Sequence, residues 1–396
     1  MSASATIGTK LVLCFRADGP KLRKAAMRVL SINCGSSSLK YALFDASEAG
    51  ETEVARGSVD RIGEQVPDHA AAVASVLDDL ERRGEPLPEA IGHRVVHGGT
   101  EHSTPARVDA ALLESLRALV PFAPLHLPAE ICAIEAVQKR WSKRLQVACF
   151  DTSFHRTLSP VAQRYALPDD VERLGLHRYG FHGLSYEYVV ASVGAGLLGR
   201  AVIAHLGNGA SMAAVCDGIS VDTTMGFSPA GGLVMGTRLG DVDPGLLVHW
   251  LGLGKGRDAK ALDDLVNRRS GLLGISGTTA DVRDLLARRS ADPRAALALD
   301  VFTWSARKWV GAMAAAAGGL DTLVFTGGIG EHAAPVRAAI ASGLEHLGVR
   351  IDDARNERHD AIVSPAGAAC TVRVVKTDEE RMVARHARRV ASLGEA

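Results

Sequence analysis

Two short stretches of this chain carry the residue types needed to grip a row of phosphates. The first is Asn33-Cys34-Gly35-Ser36-Ser37-Ser38-Leu39-Lys40, set between apolar runs at 29–32 and 41–44. Small residues let a backbone come close to a ligand. Successive N–H groups in such a turn form a concave anion site, and hydroxyls with a lysine add donors suited to phosphate oxygens. Taken alone, this segment also reads as an ordinary hairpin turn. The second stretch, Gly207-Asn208-Gly209-Ala210-Ser211, repeats the plan between apolar runs at 202–206 and 212–215. A third, Thr326-Gly327-Gly328-Ile329-Gly330-Glu331, follows the apolar run 323–325 and leads into a helical pattern at 334–337. Elsewhere Arg94 and Arg238 sit in glycine-bounded turns, and a guanidinium fork matches carboxylate and phosphate oxygens. Asp151 closes the apolar run 147–150, a usual place for a working carboxylate in an α/β protein.

The elements that must hold these residues are strand pairs meeting at tight turns, alternating with helices. Two such hairpins at a long interval imply two related lobes. No G-x-x-x-x-G-K-[ST] occurs, so a P-loop is excluded. The pattern points to an α/β, two-lobed, duplicated ribonuclease-H-like architecture of the sugar kinase, actin and Hsp70 type, with ATP expected in the cleft between the lobes. Helical spacing is read at 70–83, 108–119, 129–141, 300–318 and 379–393, a proline-stiffened loop at 121–128, and a last strand at 372–375.

The motifs together are specific. Gly92-His93-Arg94-Val95-Val96-His97-Gly98-Gly99, Phe150-Asp151-Thr152-Ser153-Phe154-His155 and Arg178-Tyr179-Gly180-Phe181-His182-Gly183 resemble those of the acetate kinase family. So do Met235-Gly236-Thr237-Arg238-Leu239-Gly240-Asp241 and Ser270-Gly271-Leu272-Leu273-Gly274, in family order from Met27 to near the C-terminus. The resemblance implies direct in-line phosphoryl transfer between ATP and acetate, with Mg²⁺, or Mn²⁺ in its place. It assigns Arg94 to the carboxylate and transferring phosphoryl group, and Arg238 to charge stabilisation. His182 would donate to the equatorial phosphoryl oxygens; a phosphohistidine route is the alternative. His126 would orient the site and His205 support the second phosphate turn. Asp151 would position metal and reacting groups, while Asn33 and Glu379 would hold the metal.

For the nucleotide, the resemblance matches Asn33, Ser36, Ser38 and Lys40 to the first phosphate turn and Gly207, Asn208, Gly209 and Ser211 to the second. Gly328, Ile329 and Gly330 match a loop beside adenosine, and Asp281 and Arg283 match positions near adenine. D-x-R-D is also a common helix-surface pattern, as an acid run at 378–380 is a common helix start. Val96, Leu125, Phe181 and Pro229 would line the carboxylate pocket. Val96 leaves no room for a further methylene, so acetate is expected over propionate, by about 1–3 kcal/mol. Departures from the family pattern stand at Leu127, Leu184, Tyr186, Gly231 and Leu239, where support for the histidines could differ.

Composition agrees with a globular enzyme. Of 396 residues, 47% are apolar and 23% charged, and 45 basic residues balance 45 acidic ones. Nothing in that balance favours nucleic acid or a membrane surface as a partner. Six scattered cysteines without a C-x-x-C pair fit a reducing cytoplasm. The longest small, apolar stretch, 309–320, is too short to span a bilayer. Residues 1–26 read as a basic disordered extension or an upstream start. The first lobe is expected over 27–150 plus 371–396, its last helix returning by family resemblance, and the second, nucleotide-binding lobe over 151–370. A homodimer is expected from the resemblance. The rival readings are a propionate or butyrate kinase on the same scaffold, and an actin- or Hsp70-like ATP-driven switch.

Overall fold

The computed structural model describes residues 26–35, 37–84 and 86–393. Residues 1–25 of the basic extension and Ser36 of the first phosphate turn lie outside the described residues.

The chain forms two compact units, one running to Ser153 and resuming at Asp378, the other spanning Phe154–Thr377. Their sheets share one plan. In the first unit β1 (Met27–Cys34), β2 (Ser38–Ser47) and β3 (Gly50–Asp60) form an antiparallel meander. β4 (Ala90–Val95) joins β1 in parallel and β6 (Leu145–Phe150) joins β4 in parallel, with the two-residue β5 (Ala106–Arg107) at the edge. In the second unit β7 (Arg200–Leu206), β8 (Ala210–Cys216) and β9 (Ile219–Thr223) repeat the meander. β10 (Thr322–Thr326) and β11 (Thr371–Val374) extend it in parallel. The orders β3-β2-β1-β4-β6 and β9-β8-β7-β10-β11 correspond strand for strand. Even the register shift between second and third strands recurs, at Leu43/Phe44 and at Ala214/Val215.

The central strands of both sheets are near-continuous apolar runs, as parallel strands covered on both faces must be. In the first unit Leu30, Ile32, Leu39, Tyr41 and Ile91 pack with Val73, Val76 and Leu77 of the helix His69–Arg82 and with Val137 of the helix Leu127–Arg140. The helix Glu379–Leu393, which spaces Met382, Val383, His386 and Ala387 on one buried face, packs on β1, β2, β4 and β6. In the second unit Tyr186 and Val189 of the helix Gly183–Val193 pack with Ile203, Ala213, Val215 and Val324. The 24-residue helix Pro293–Ala316 covers β7, β8 and β9.

The helices fall where their apolar spacing put them, with ends set by capping. Asp68 and Asp109 cap two of them by accepting N–H bonds from Ala71 and Leu112, each at 2.8 Å. Three readings shift. The segment Thr371–Val374 does not belong with the first unit: it pairs with β10, and the return to the first unit begins at Asp378. The stretch 327–332 is a helical turn rather than a loop, entered through Gly327 at φ +75°. The loop at 121–128 contains a 3₁₀ turn, Val120–Phe122, and the following helix starts at Leu127 because Pro128 is pre-set for a first helical turn.

Gly92 shows how closely the returning helix sits. A Cβ there would lie 2.5 Å from Val383 Cγ1 and 3.3 Å from Ala387 Cβ. Gly92→Val should therefore destabilise the protein by about 1–3 kcal/mol through overpacking. A urea midpoint from far-UV circular dichroism that is unchanged would mean the helix yields freely.

Candidate active site

In the first unit three parallel neighbours, β1, β4 and β6, bring their carboxyl ends together, the usual ligand edge of an α/β sheet. Asn33 is on β1, Arg94 on β4, and Asp151 immediately follows β6, its N–H bonded to Val95 C=O at 2.9 Å. Arg94 thus lies within a strand rather than in a turn. Its Nη2 donates to Asp151 Oδ2 at 2.5 Å and its Nε to Oδ1 at 3.2 Å, a two-point grip, while Nη1 donates to Asn33 Oδ1 at 3.2 Å. Glu379, at the start of the returning helix, has Oε2 3.7 Å from Arg94 Nε and 3.4 Å from Asn33 Nδ2. The Asp151 carboxyl is fully buried; burial pushes its pKa upward against the pull of Arg94, and Glu379 adds to the rise. Burial opposes the Arg94 charge, but Asp151, Glu379 and Glu130 together keep it cationic.

Arg56 on β3 is a support that sequence reasoning missed. Its Nη2 donates to Asp378 at 2.8 Å and its Nη1 to Glu380 at 3.0 Å, clamping both neighbours of Glu379. Glu130 is another, accepting the Val96 N–H at 3.0 Å from the helix Leu127–Arg140. Its signal was legible as a lone acid among Leu127, Ile131 and Ile134, the apolar face of that helix. Val96 is buried and Leu125 partly buried nearby in sequence; His126 is the residue before the helix, its carbonyl accepting the Ala129 and Glu130 N–H groups. Across the β1–β2 hairpin Lys40 stands opposite Asn33, exposed, and Ser38 accepts the Gly35 N–H at 2.8 Å through its carbonyl.

In the second unit the matching hairpin turn, Gly207–Gly209 between β7 and β8, meets the remaining candidates. His182 lies just before the helix Gly183–Val193 with φ 58° and ψ 24°. That left-handed backbone is uncommon for a residue with a Cβ and is typical of functional positions. Its Nδ1 is 2.8 Å from Ser211 Oγ, which also contacts the Tyr186 hydroxyl. If Tyr186 O–H donates to Ser211 and Ser211 O–H donates to Nδ1, all three are satisfied and the His182 proton sits on Nε2. Tyr186, one of the departures from the family pattern, thus supplies a polar support. The His182 ring stacks on His205 with centroids 4.2 Å apart, and His205 Nδ1 is 2.8 Å from Ser185 Oγ, itself bonded to Thr377.

Glycine is required at this meeting point. A Cβ on Gly209 would be 3.3 Å from Arg238 Nη1 and 3.4 Å from His182 Nε2, and one on Gly236 would collide with Asn208 Oδ1. Gly236 N–H donates to Asn208 C=O at 2.9 Å, and Arg238 Nη1 donates to Pro229 C=O at 3.2 Å. His182, His205, Gly207, Asn208, Gly209, Arg238 and Pro229 are therefore one cluster. Phe181, 1% exposed, precedes His182, and its C=O is 3.2 Å from His155 Nε2. Gly231 lines a cavity of about 270 Å³ bounded by Tyr165, Arg178, Asp241 and Trp309. Leu127 and Leu184 are buried apolar packing, and Leu239 N–H donates to Val266 C=O.

Gly328, Ile329 and Gly330 form the turn after β10, the topological counterpart of the segment after β4. The wholly buried Arg337 fixes it, donating to Gly330 C=O and Glu331 C=O at 2.9 Å each. Asp281 and Arg283 lie apart from these clusters in bonding: Asp281 caps the helix Val282–Arg288 and pairs with the exposed Arg283 at 2.6 Å.

Among the described residues no three His, Cys, Asp or Glu side chains gather as a metal cluster. Magnesium takes one or two carboxylates with phosphates and waters, so it does not need one. Glu379, 15% exposed and held beside the Asn33 amide, has the hard oxygen donor and access that such an ion requires.

The chain matches the acetokinase family over residues 28–385. It belongs to that family. Acetate kinase from Micrococcus luteus is 45% identical, over 91% of this chain and 98% of that protein. The crystal structure of Porphyromonas gingivalis acetate kinase is similar with a TM-score of 0.83 at 35% identity, covering 92% of this chain and all of that one. A propionate kinase from Francisella tularensis is similar at 0.82 and 34%, covering 92% of this chain and 99% of that one. The acetokinase chain therefore has the duplicated two-lobed fold of the actin and Hsp70 type, as the repeated strand order also requires.

His155 ties this family site to pH. It is 2% exposed, and its two ring nitrogens meet Ser220 Oγ and Phe181 C=O, so a second ring proton would carry a charge into the interior and turn the Ser220 hydroxyl from donor to acceptor. Burial lowers its pKa to about 4. A histidine depressed from 6.5 stabilises the fold above pH 6.5 and loses that contribution as pH falls toward 4. The loss is about 3 kcal/mol. His155→Gln should flatten this acid limb in a series of urea melts; an equally steep limb would acquit His155.

Proposed function

We propose that this protein catalyses the reversible transfer of the ATP γ-phosphoryl group to acetate, giving acetyl phosphate and ADP. The observation that carries the reading is the Arg94–Asp151–Asn33–Glu379 constellation at the strand ends of the first unit, in a chain 45% identical to an acetate kinase over nearly all its length. Transfer to a carboxylate brings two anions together, and catalysis then rests on positioning and charge cancellation. Arg94, oriented by Asp151, is the fixed cation for the carboxylate and the group in transit. Arg238 and His182, with its proton on Nε2, supply donors to the equatorial oxygens, which supports direct transfer over a phosphohistidine. His126 orients the acceptor side.

The turns at Asn33, Ser36, Ser38 and Lys40 and at Gly207, Asn208 and Gly209 take the phosphates; His205 braces the second. Gly328, Ile329 and Gly330 take the adenosine, with Asp281 and Arg283 toward the adenine. Magnesium, or manganese in its place, would be held by Glu379 and Asn33 and would add positive charge to the phosphates. The reading assigns Val96, Leu125, Phe181 and Pro229 to the acetate methyl group, and the branched, buried Val96 supports acetate over propionate. The domain reading is a first lobe completed by its returning helix and a second, nucleotide-binding lobe. No helix among the described residues is long and apolar enough to cross a membrane, and the reading places the reaction in the cytoplasm, where ATP is available.

Hydroxylamine trapping of acyl phosphate tests this, with ATP, Mg²⁺ and acetate, propionate, butyrate or no acid. Acetate-dependent hydroxamate with a weaker propionate signal is expected. Equal or stronger propionate signal makes the protein a propionate kinase, and ATP hydrolysis without hydroxamate sinks the reaction. Arg238→Ala should lower kcat by on the order of 10³, about 4 kcal/mol of transition-state stabilisation. His182→Asn, which tolerates the left-handed backbone, should lower kcat on the order of 10² with the fold intact.

We also propose a homodimer. The helix Pro244–Gly252 has no buried residue, and Leu246, Val248, Leu251 and Leu253 are 36–70% exposed. The run Pro244–Gly252 carries no Asp, Glu, Lys or Arg, so a second copy presenting the same face is its natural cover. Light scattering should give twice the chain mass, and Val248→Glu should reduce it to one chain; a monomeric parent protein would overturn the assignment.

A further inference from the structure

One buried acid in the first unit has no task in the reaction above. Glu130 is 2% exposed in the first turn of the helix Leu127–Arg140. Its Oε2 accepts the Val96 N–H at 3.0 Å, and its Oε1 meets no hydrogen-bond partner. A buried carboxylate with an unsatisfied oxygen is costly, whereas the neutral acid keeps the Val96 bond and carries no charge into the interior. Its helix packs on β1 and β4 and on the helices His69–Arg82 and Ala110–Ala118. The titratable and charged groups that act on it are Cys34 at the end of β1, Arg94 on β4 and Asp151 after β6.

We propose that Glu130 is a positioning residue for the carboxylate acceptor. In its neutral form it pins the Val96 peptide that walls the methyl pocket, and it adds no further negative charge to the field of Arg94 that the incoming anion must enter. This rests on the reading that Arg94 and Val96 receive the acetate.

The electrostatics agree. Burial pushes Glu130 up to about 8, with Arg94 and the Val96 N–H pulling down and Asp151 pushing further up. Asp151 and Glu379 already share the Arg94 guanidinium. Ionising Glu130 puts a third carboxylate in that field, opposite in effect to what acetate needs. The KM for acetate should therefore stay level below neutrality and climb as pH rises through 8, while the KM for ATP does not follow it. In stability the sign is the same. The folded value lies above the ordinary 4.5, so the contribution of Glu130 is full below pH 4.5 and is lost as pH rises through 8.

The test is the pH profile of acetate KM for the parent protein and for Glu130→Gln, whose amide oxygen keeps an acceptor for Val96. From about pH 7 to pH 9 the parent KM should rise roughly tenfold and the Glu130→Gln KM should stay flat. In thermal melts the variant should gain on the parent between about pH 5 and pH 8. Glu130→Leu, which removes the acceptor, should raise acetate KM more than ATP KM at every pH. Parallel profiles for parent and Glu130→Gln overturn the proposal. If the variant does not fold, a parent acetate KM that is independent of pH over that range overturns it alone. Absence of acyl hydroxamate from the parent protein with any acid is a different result, and it removes the reaction rather than the role of Glu130.

Discussion

The contact on which the first unit's chemistry depends is the two-point grip of Asp151 on Arg94. A guanidinium is fixed in direction when its donors are taken up by partners held in place, and Asp151 and Asn33 do this from the strands on either side of β4. The sheet order makes it possible: β1, β4 and β6 are parallel neighbours, so residues that are far apart in sequence end at one edge. The cost is a cluster of buried charge, with one arginine set against Asp151 and Glu379. Breaking such a group by removing one partner is strongly destabilising, whereas the complete set is close to neutral for stability.

The second unit carries a different set of residues on the same sheet plan. Its hairpin and the turn after β10 are built of glycines, so backbone amides supply the positive potential where the first unit uses arginine. Side-chain donors are then brought to that backbone from outside, His182 from a strained helix start and Arg238 from a loop bonded to Asn208 through Gly236. Duplication supplied two frames, and the residues at the strand ends gave each a separate chemistry.

Much of this is legible in the sequence because hairpins and glycine turns have local causes. The stretches at Asn33–Lys40 and Gly207–Ser211 announce a close backbone approach, and the helix Glu379–Leu393 announces a buried face by its spacing. What sequence could not give is partnership. Thr371–Val374 is a four-residue strand, Thr-Val-Arg-Val, and nothing in it says that β10 is its neighbour. Arg94 looked like a turn residue because Gly92 and Gly98 flank it, yet Gly92 is there to admit Val383. Glycines at 327–330 suggested a loop, but Arg337 caps their carbonyls and allows a helical turn. Arg56 and Glu130 were missed as supports, and Ser211 was read as part of the phosphate turn and not as the partner of His182, for one reason: each acts on a residue remote in sequence, through geometry that only the fold creates.

The split of the first unit has a consequence for how the protein folds. Phe154–Thr377 is continuous in sequence, whereas the first unit draws on two stretches separated by the whole of the second. β1, β2, β4 and β6 are covered only when the helix that begins at Glu379 docks on them. That docking is a contact of very high sequence separation, the kind whose loop-closure entropy slows folding. Glu379 reaches Arg94 through the same closure, so the Arg94 cluster is completed by one long-range step rather than by local structure.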